Sequence, residues 1–123
     1  MATRGKLRSM KSSTAFRDYV LDQLSGIRDV RARAMFGGIG IYAGDVFFAL
    51  IASDVLYLKV DDTNRARYVE AGSAPFAPYP GKTMTMPYYN VPVSVLEDAA
   101  TLTTWAKASV GVAKKKKAKA ASS

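Results

Sequence analysis

Hydrophobic positions change period twice along the chain. After Ser12, Ser13 and Thr14, residues suited to cap a helix, Phe16, Val20, Leu24 and Ile27 recur at the spacing of one helix face. Gly26 is placed to end or fray that helix. From residue 30 the pattern shortens. Segments 30–36, 39–43, 46–52 and 55–60 are rich in branched and aromatic residues, and Gly37-Gly38, Gly44-Asp45 and Ser53-Asp54 separate them. Connections this short predict an antiparallel meander, because a parallel crossover needs about a dozen residues or more. Strict alternation puts Phe47, Ala49 and Ile51 on one sheet face and Phe48 and Leu50 on the other. Leu56 and Leu58 likewise oppose Tyr57 and Lys59. Both faces are partly apolar, so helices are expected over one face and some cover over part of the other.

The helical period returns twice. Asp61 or Asp62 can cap a second helix over 63–71, with Gly72 just past its end. The run Pro75-Phe76-Ala77-Pro78-Tyr79-Pro80-Gly81 excludes a regular helix. A strand over 83–89 would set Met84, Met86 and Tyr88 on one face. Pro87 lacks a ladder donor, which predicts an edge strand or a bulge there. Pro92 and Asp98 introduce a last helix, with Leu102, Trp105, Ala106, Ser109 and Val110 as its apolar stripe. The pattern predicts an α+β fold, an antiparallel sheet of about five strands packed with three helices. It occupies residues 14–112, between a basic N-terminal tail (1–13) and a Lys-rich segment (113–123) read as disordered or transiently helical.

Composition narrows the chemistry. A chain of 123 residues, 49% of them hydrophobic, suffices for one core without staples. It has no cysteine and no histidine, which excludes disulfides, thiol catalysis and the commonest neutral-pH base. No apolar run reaches membrane-spanning length, and no apolar stretch follows the basic N-terminus as a secretory signal requires. A cytoplasmic location is the resulting expectation. The net charge of +8 is unevenly placed: nine of the 18 cations lie in the two terminal segments, and residues 14–112 carry nine cations against ten acids. The folded part is therefore not a basic domain by composition.

Candidate motifs are few. Gly37-Gly38-Ile39-Gly40 lacks the following helix that a phosphate loop needs, so turn or bulge glycines are the better reading. Asp61 and Asp62 suit a helix cap better than a metal, and Asp45 and Asp54 suit turns. No catalytic, cofactor-binding or metal-binding residues are assigned. Tyr79, Lys82 and Tyr89 are the candidates for a partner-binding surface. Phe76, Met86 and Trp105 are read as core. Lys114, Lys115, Lys116, Lys117 and Lys119 either solubilise the chain or attract DNA weakly, without sequence preference.

The run Met35-Phe36-Gly37-Gly38-Ile39-Gly40-Ile41-Tyr42, followed by Phe48-Ala49-Leu50-Ile51 and Leu56-Tyr57-Leu58-Lys59-Val60-Asp61, resembles the N-terminal domain of the TfoX/Sxy family. Gly72, Pro75-Phe76, Tyr79, Met86-Pro87-Tyr88-Tyr89, Pro92, Leu96-Glu97-Asp98, Leu102 and Trp105 continue the pattern, which covers about residues 15–110. The resemblance implies helices on an antiparallel sheet, no enzymatic activity and no cofactor. It also implies a role in competence-gene regulation, with the cyclic-AMP receptor protein as partner. Full-length members continue into a helical C-terminal domain, whereas this chain continues into lysines and so reads as the stand-alone N-terminal domain. The expected function is a transcription-associated protein-binding adaptor with weak DNA affinity through its basic tails. The alternative is a chaperone-like or dimerising interaction domain with no DNA role, and the expected state is a monomer or a homodimer.

Overall fold

The structure, a computed structural model, describes residues 13–35, 37–78 and 85–122. It opens with α1 (Thr14–Gln23), capped by the Ser13 hydroxyl, which accepts from the Phe16 amide at 3.0 Å. The meander follows as β1 (Val30–Met35), β2 (Gly38–Ala43), β3 (Val46–Ala52) and β4 (Val55–Lys59). Its turns use the backbone that tight hairpins need. Ser53 and Asp54 both have positive φ, and Gly44 supplies φ 63° between β2 and β3. Then come α2 (Arg65–Glu70), β5 (Pro75–Phe76), β6 (Met86–Asn90), α3 (Val93–Leu96) and α4 (Ala99–Ser122). The strands form a six-stranded sheet in the order β1-β2-β3-β4-β6-β5, with every neighbouring pair antiparallel.

The α+β class is as the sequence predicts, with one more strand and one more helix. Both additions, β5 and α3, are too short to carry a period of their own. Helix α2 begins later than expected, because the Asp61 carboxylate accepts from the Thr63 amide and hydroxyl and makes a turn instead of a cap. Pro87 sits at a bulge, not on an edge. Opposite it Pro75 pairs with Tyr89 and Phe76 with Met86, so Pro87 and Tyr88 are extra in β6.

The principal core lies between the sheet and the helices. Val20 of α1 and Leu24 at its C-cap, Tyr68 of α2, Val95 of α3, and Leu102, Ala106 and Ala113 of α4 pack against Ile41, Phe48, Ala49, Ile51, Leu56 and Leu58. The assignment of β3 side chains to faces differs from strict alternation. Ile41 pairs with Ala49 but Tyr42 pairs with Phe47, so Phe48 is an extra residue at a bulge. Phe48 consequently turns to the helix side with Ala49 and Ile51, and Phe47 joins Leu50 and Ala52 on the opposite face.

The Lys-rich segment also differs from expectation. It is the continuation of α4, whose stripe of Leu102, Ala106 and Ser109 extends to buried Val112 and Ala113. Alanine and lysine favour helix, and lysines near its C-terminus offset the helix dipole. Lys115 approaches Asp61 at 3.9 Å and Lys117 approaches Asp45 at 3.3 Å, tying the helix end to two loops. No helix of the described residues is long and apolar enough to cross a membrane.

Candidate functional site

All four helices contribute to the core on one side of the sheet, while the cluster on the other side consists of strand residues alone. This second face carries a row of rings. Tyr42 and Phe47 have centroids 5.2 Å apart, Phe47 and Tyr88 are 5.5 Å apart, and Tyr57 meets Phe76 at 4.8 Å. Cations stand at both ends of the row, with Arg33 5.8 Å from the Tyr42 centroid and Lys59 4.7 Å from that of Tyr88. Gly40 lies close beside the row: a Cβ there would be 2.8 Å from the movable Met35 Cε and 3.1 Å from the Phe47 ring. Among the described residues no strand contains an acid, and the charged strand residues are Arg31, Arg33 and Lys59, all three alternating onto this face.

The end of β4 is held from three sides. The Lys59 carbonyl accepts from the Ser109 hydroxyl of α4 at 2.8 Å and from the Asn64 side-chain amide at 3.1 Å. The other end of the Asn64 side chain accepts from the Asp61 amide at 2.8 Å. Ser109 and Asn64 are both buried, at 0% and 3% exposure. The Lys59 side chain leaves this clasp only 9% exposed, with the Tyr88 hydroxyl at 3.4 Å as its hydrogen-bond partner. Burial is the main cause that lowers the Lys59 pKa from the usual lysine value; Lys116 lowers it further and Asp61 partly opposes. Burial likewise pushes the Tyr88 hydroxyl up to about 12, with Tyr42 adding to the rise.

Beside Lys59 lies an open groove of about 860 Å³, walled by Val60, Pro87 and Val112. Five cations line it, Lys59, Arg65, Lys115, Lys116 and Lys119, against the acids Asp61 and Asp62. Both acids are already engaged. Asp61 is paired with Thr63 and Lys115, and the Thr63 hydroxyl above all holds its pKa below the usual carboxylate value. Asp62 is bonded to Arg65.

The structure distributes the sequence candidates unevenly. Lys115, Lys116 and Lys119 face the groove, whereas Lys114 lines a hollow with Asp29 and Gly44, and Lys117 reaches Asp45. Tyr89 turns to the helix side and packs half-buried against Tyr68, with centroids 5.7 Å apart; its neighbour Tyr88, 3% exposed, lies on the opposite face. Tyr79 and Lys82 lie outside the described residues. Lys59, Asn64 and Ser109 were missed. Their signal was only a lysine ending an apolar strand and a serine inside an apolar helical stripe. Trp105 is half-buried, stacked edge-on against Tyr68 under Arg67.

Among the curated proteins compared, none matches this chain. A family model does match, and it spans most of the fold just described, from within α1 to the buried part of α4. The chain belongs to the family of the TfoX N-terminal domain, whose model matches residues 22–113.

Proposed function

We propose that the chain is a non-enzymatic regulatory adaptor, whose helix-free sheet face docks an acidic segment of a protein partner. One observation carries the reading: a row of rings with cations at both ends on a face with no strand acid. Aromatic and arginine side chains are the usual anchors of protein interfaces, and the sign of this face selects an acidic partner. Two copies placed face to face would oppose Arg31, Arg33 and Lys59 to one another, which disfavours a homodimer through it. Family membership supports a regulatory role, and the resemblance to TfoX/Sxy makes competence genes and the cyclic-AMP receptor protein the first target and partner to test. The lysines of α4 add weak, sequence-independent attraction to DNA.

The test pairs two variants of the full chain. Arg31→Glu/Arg33→Glu reverses the charge of that sheet face, and Lys114→Gln/Lys117→Gln reduces the helix charge. Binding is measured with purified cyclic-AMP receptor protein and with a labelled duplex at low salt. The first variant should lose the protein partner and keep most DNA affinity, and the second should do the reverse. Equal loss of both ligands in both variants would refute the division between the two surfaces.

A further inference from the structure

Lys59 is a buried cation whose partner in the fold is a neutral tyrosine, not an acid. Lysines are almost never buried without a carboxylate partner, yet Lys59 is 9% exposed and forms no ion pair. The chain's ten acidic residues all lie among the described residues, so none remains elsewhere in the sequence to supply one. The nearest in sequence, Asp61, is committed to Thr63 and Lys115. The cations around the groove come from three separate elements: Lys59 from β4, Arg65 from α2, and Lys115, Lys116 and Lys119 from α4. The two acids of the lining are engaged by Arg65 and Lys115, and neither forms an ion pair with Lys59 or Lys116. Lys59 and Lys116 repel each other across the groove, a cost that an anion seated between them would remove.

We infer that this groove is a binding site for a short chain of linked phosphates, contacted by Lys59, Lys116 and Lys119 of its lining. Convergence from three elements onto a hollow of about 860 Å³ suits a compact ligand, since small-molecule sites run to about 1,000 Å³. Several charges gathered at one point call for a multiply charged anion in preference to a single phosphate. A phosphoanhydride chain reaches the groove either as an inorganic polyphosphate or as the tail of a nucleotide, and the two arms of the test tell these apart. The site shares Lys59 with the partner face, whereas Arg31 and Arg33 play no part in it, so Arg31→Glu/Arg33→Glu should leave tripolyphosphate binding intact.

The experiment is isothermal titration of the full chain at near-physiological salt with tripolyphosphate, ATP, inorganic phosphate and a short DNA duplex. Tripolyphosphate should bind at one site and at least about tenfold more tightly than phosphate. Lys59→Met and Lys116→Ala/Lys119→Ala should each weaken it by about tenfold or more, the scale of one lost charge-assisted contact. ATP binding like tripolyphosphate identifies the nucleotide form; tripolyphosphate alone identifies the inorganic one. The Lys59 side-chain resonances should shift on saturation, a response that lysines at the helix tip cannot produce. Should Lys59→Met fail to fold, the exposed pair on α4 and the Lys59 resonances still decide the matter. Undetectable tripolyphosphate binding, undiminished binding in a folded Lys59→Met, or a DNA affinity that exceeds tripolyphosphate's and survives Lys59→Met would each overturn the inference.

Discussion

Removing the clasp on Lys59 gives the most quantitative check on how α2 and α4 are fixed to the sheet. Ser109→Ala deletes one hydrogen bond to the Lys59 carbonyl and leaves Asn64 to serve it. A buried hydrogen bond contributes about 1 kcal/mol net, so this variant should lose about that much stability. Asn64→Ala deletes two bonds, one to the same carbonyl and one from the Asp61 amide, and orphans that partly buried amide. Its loss should be about 2–3 kcal/mol. The double variant strips the carbonyl of both side-chain donors and adds the desolvation cost of a buried acceptor. It should exceed the sum of the singles by about 1 kcal/mol, in the range seen for residues sharing a network. Urea denaturation followed by circular dichroism reads all three, with an m-value of about 1–2 kcal/mol/M for a chain of this size. Strict additivity, or an Asn64→Ala loss below about 0.5 kcal/mol, would show that the two side chains do not converge on one carbonyl.

Three further outcomes follow from the geometry. Gly40→Ala should change stability by less than about 1 kcal/mol, because the movable end of Met35 can yield to the added Cβ and the Phe47 ring need give only slightly, as thermal melts will show. Stability should fall as pH rises from about 10 to about 12, because Tyr68 and Tyr88 keep their protons in the fold, at about 12, while the unfolded chain releases them at about 10. The folded state then binds more protons than the unfolded, and Tyr88→Phe should flatten the decline; Lys59, lowered in the fold, acts in the opposite sense just below its ordinary value. Lys117→Ala should change stability by less than about 0.5 kcal/mol, since its pair with Asp45 is exposed, whereas Val112→Asp should cost about 3 kcal/mol or more by burying a charge, both read by denaturation.

The sequence reading reached most of the elements because period and turn chemistry agree over residues 30–60. Segment 46–52 coincides with β3, and Ser53-Asp54 forms the tight turn its spacing implied. It missed what depends on register. No residue type announces the extra position at Phe48, yet that one bulge exchanges Phe47 and Phe48 between faces and builds the ring row. The faces of β6 were legible, since Met86 and Tyr88 share one side as alternation implied; which side the helices cover was not. The lysine block misled for another reason. A dense like-charge run argues for disorder when taken alone, but here it rides on a helix anchored by Val112 and Ala113, and two of its charges find Asp45 and Asp61. Lys59 was legible as a strand residue; its burial without an acid was not, because that is a property of the elements closing over it.

Helix α4 is at once a wall of the core and the carrier of the exposed lysines, and this joins two quantities that a detachable tail would keep apart. Any anion held by Lys116 or Lys119 binds the helical form of that segment, so by mass action it raises the melting temperature of the whole domain, by about 2.7 kcal/mol of added stability at a hundred times its Kd. A thermal-shift plate with anions as the variable thus becomes a screen for ligands of this protein. Trimming the chain at residue 112 would cut into that response, since Ala113 is part of the buried interior.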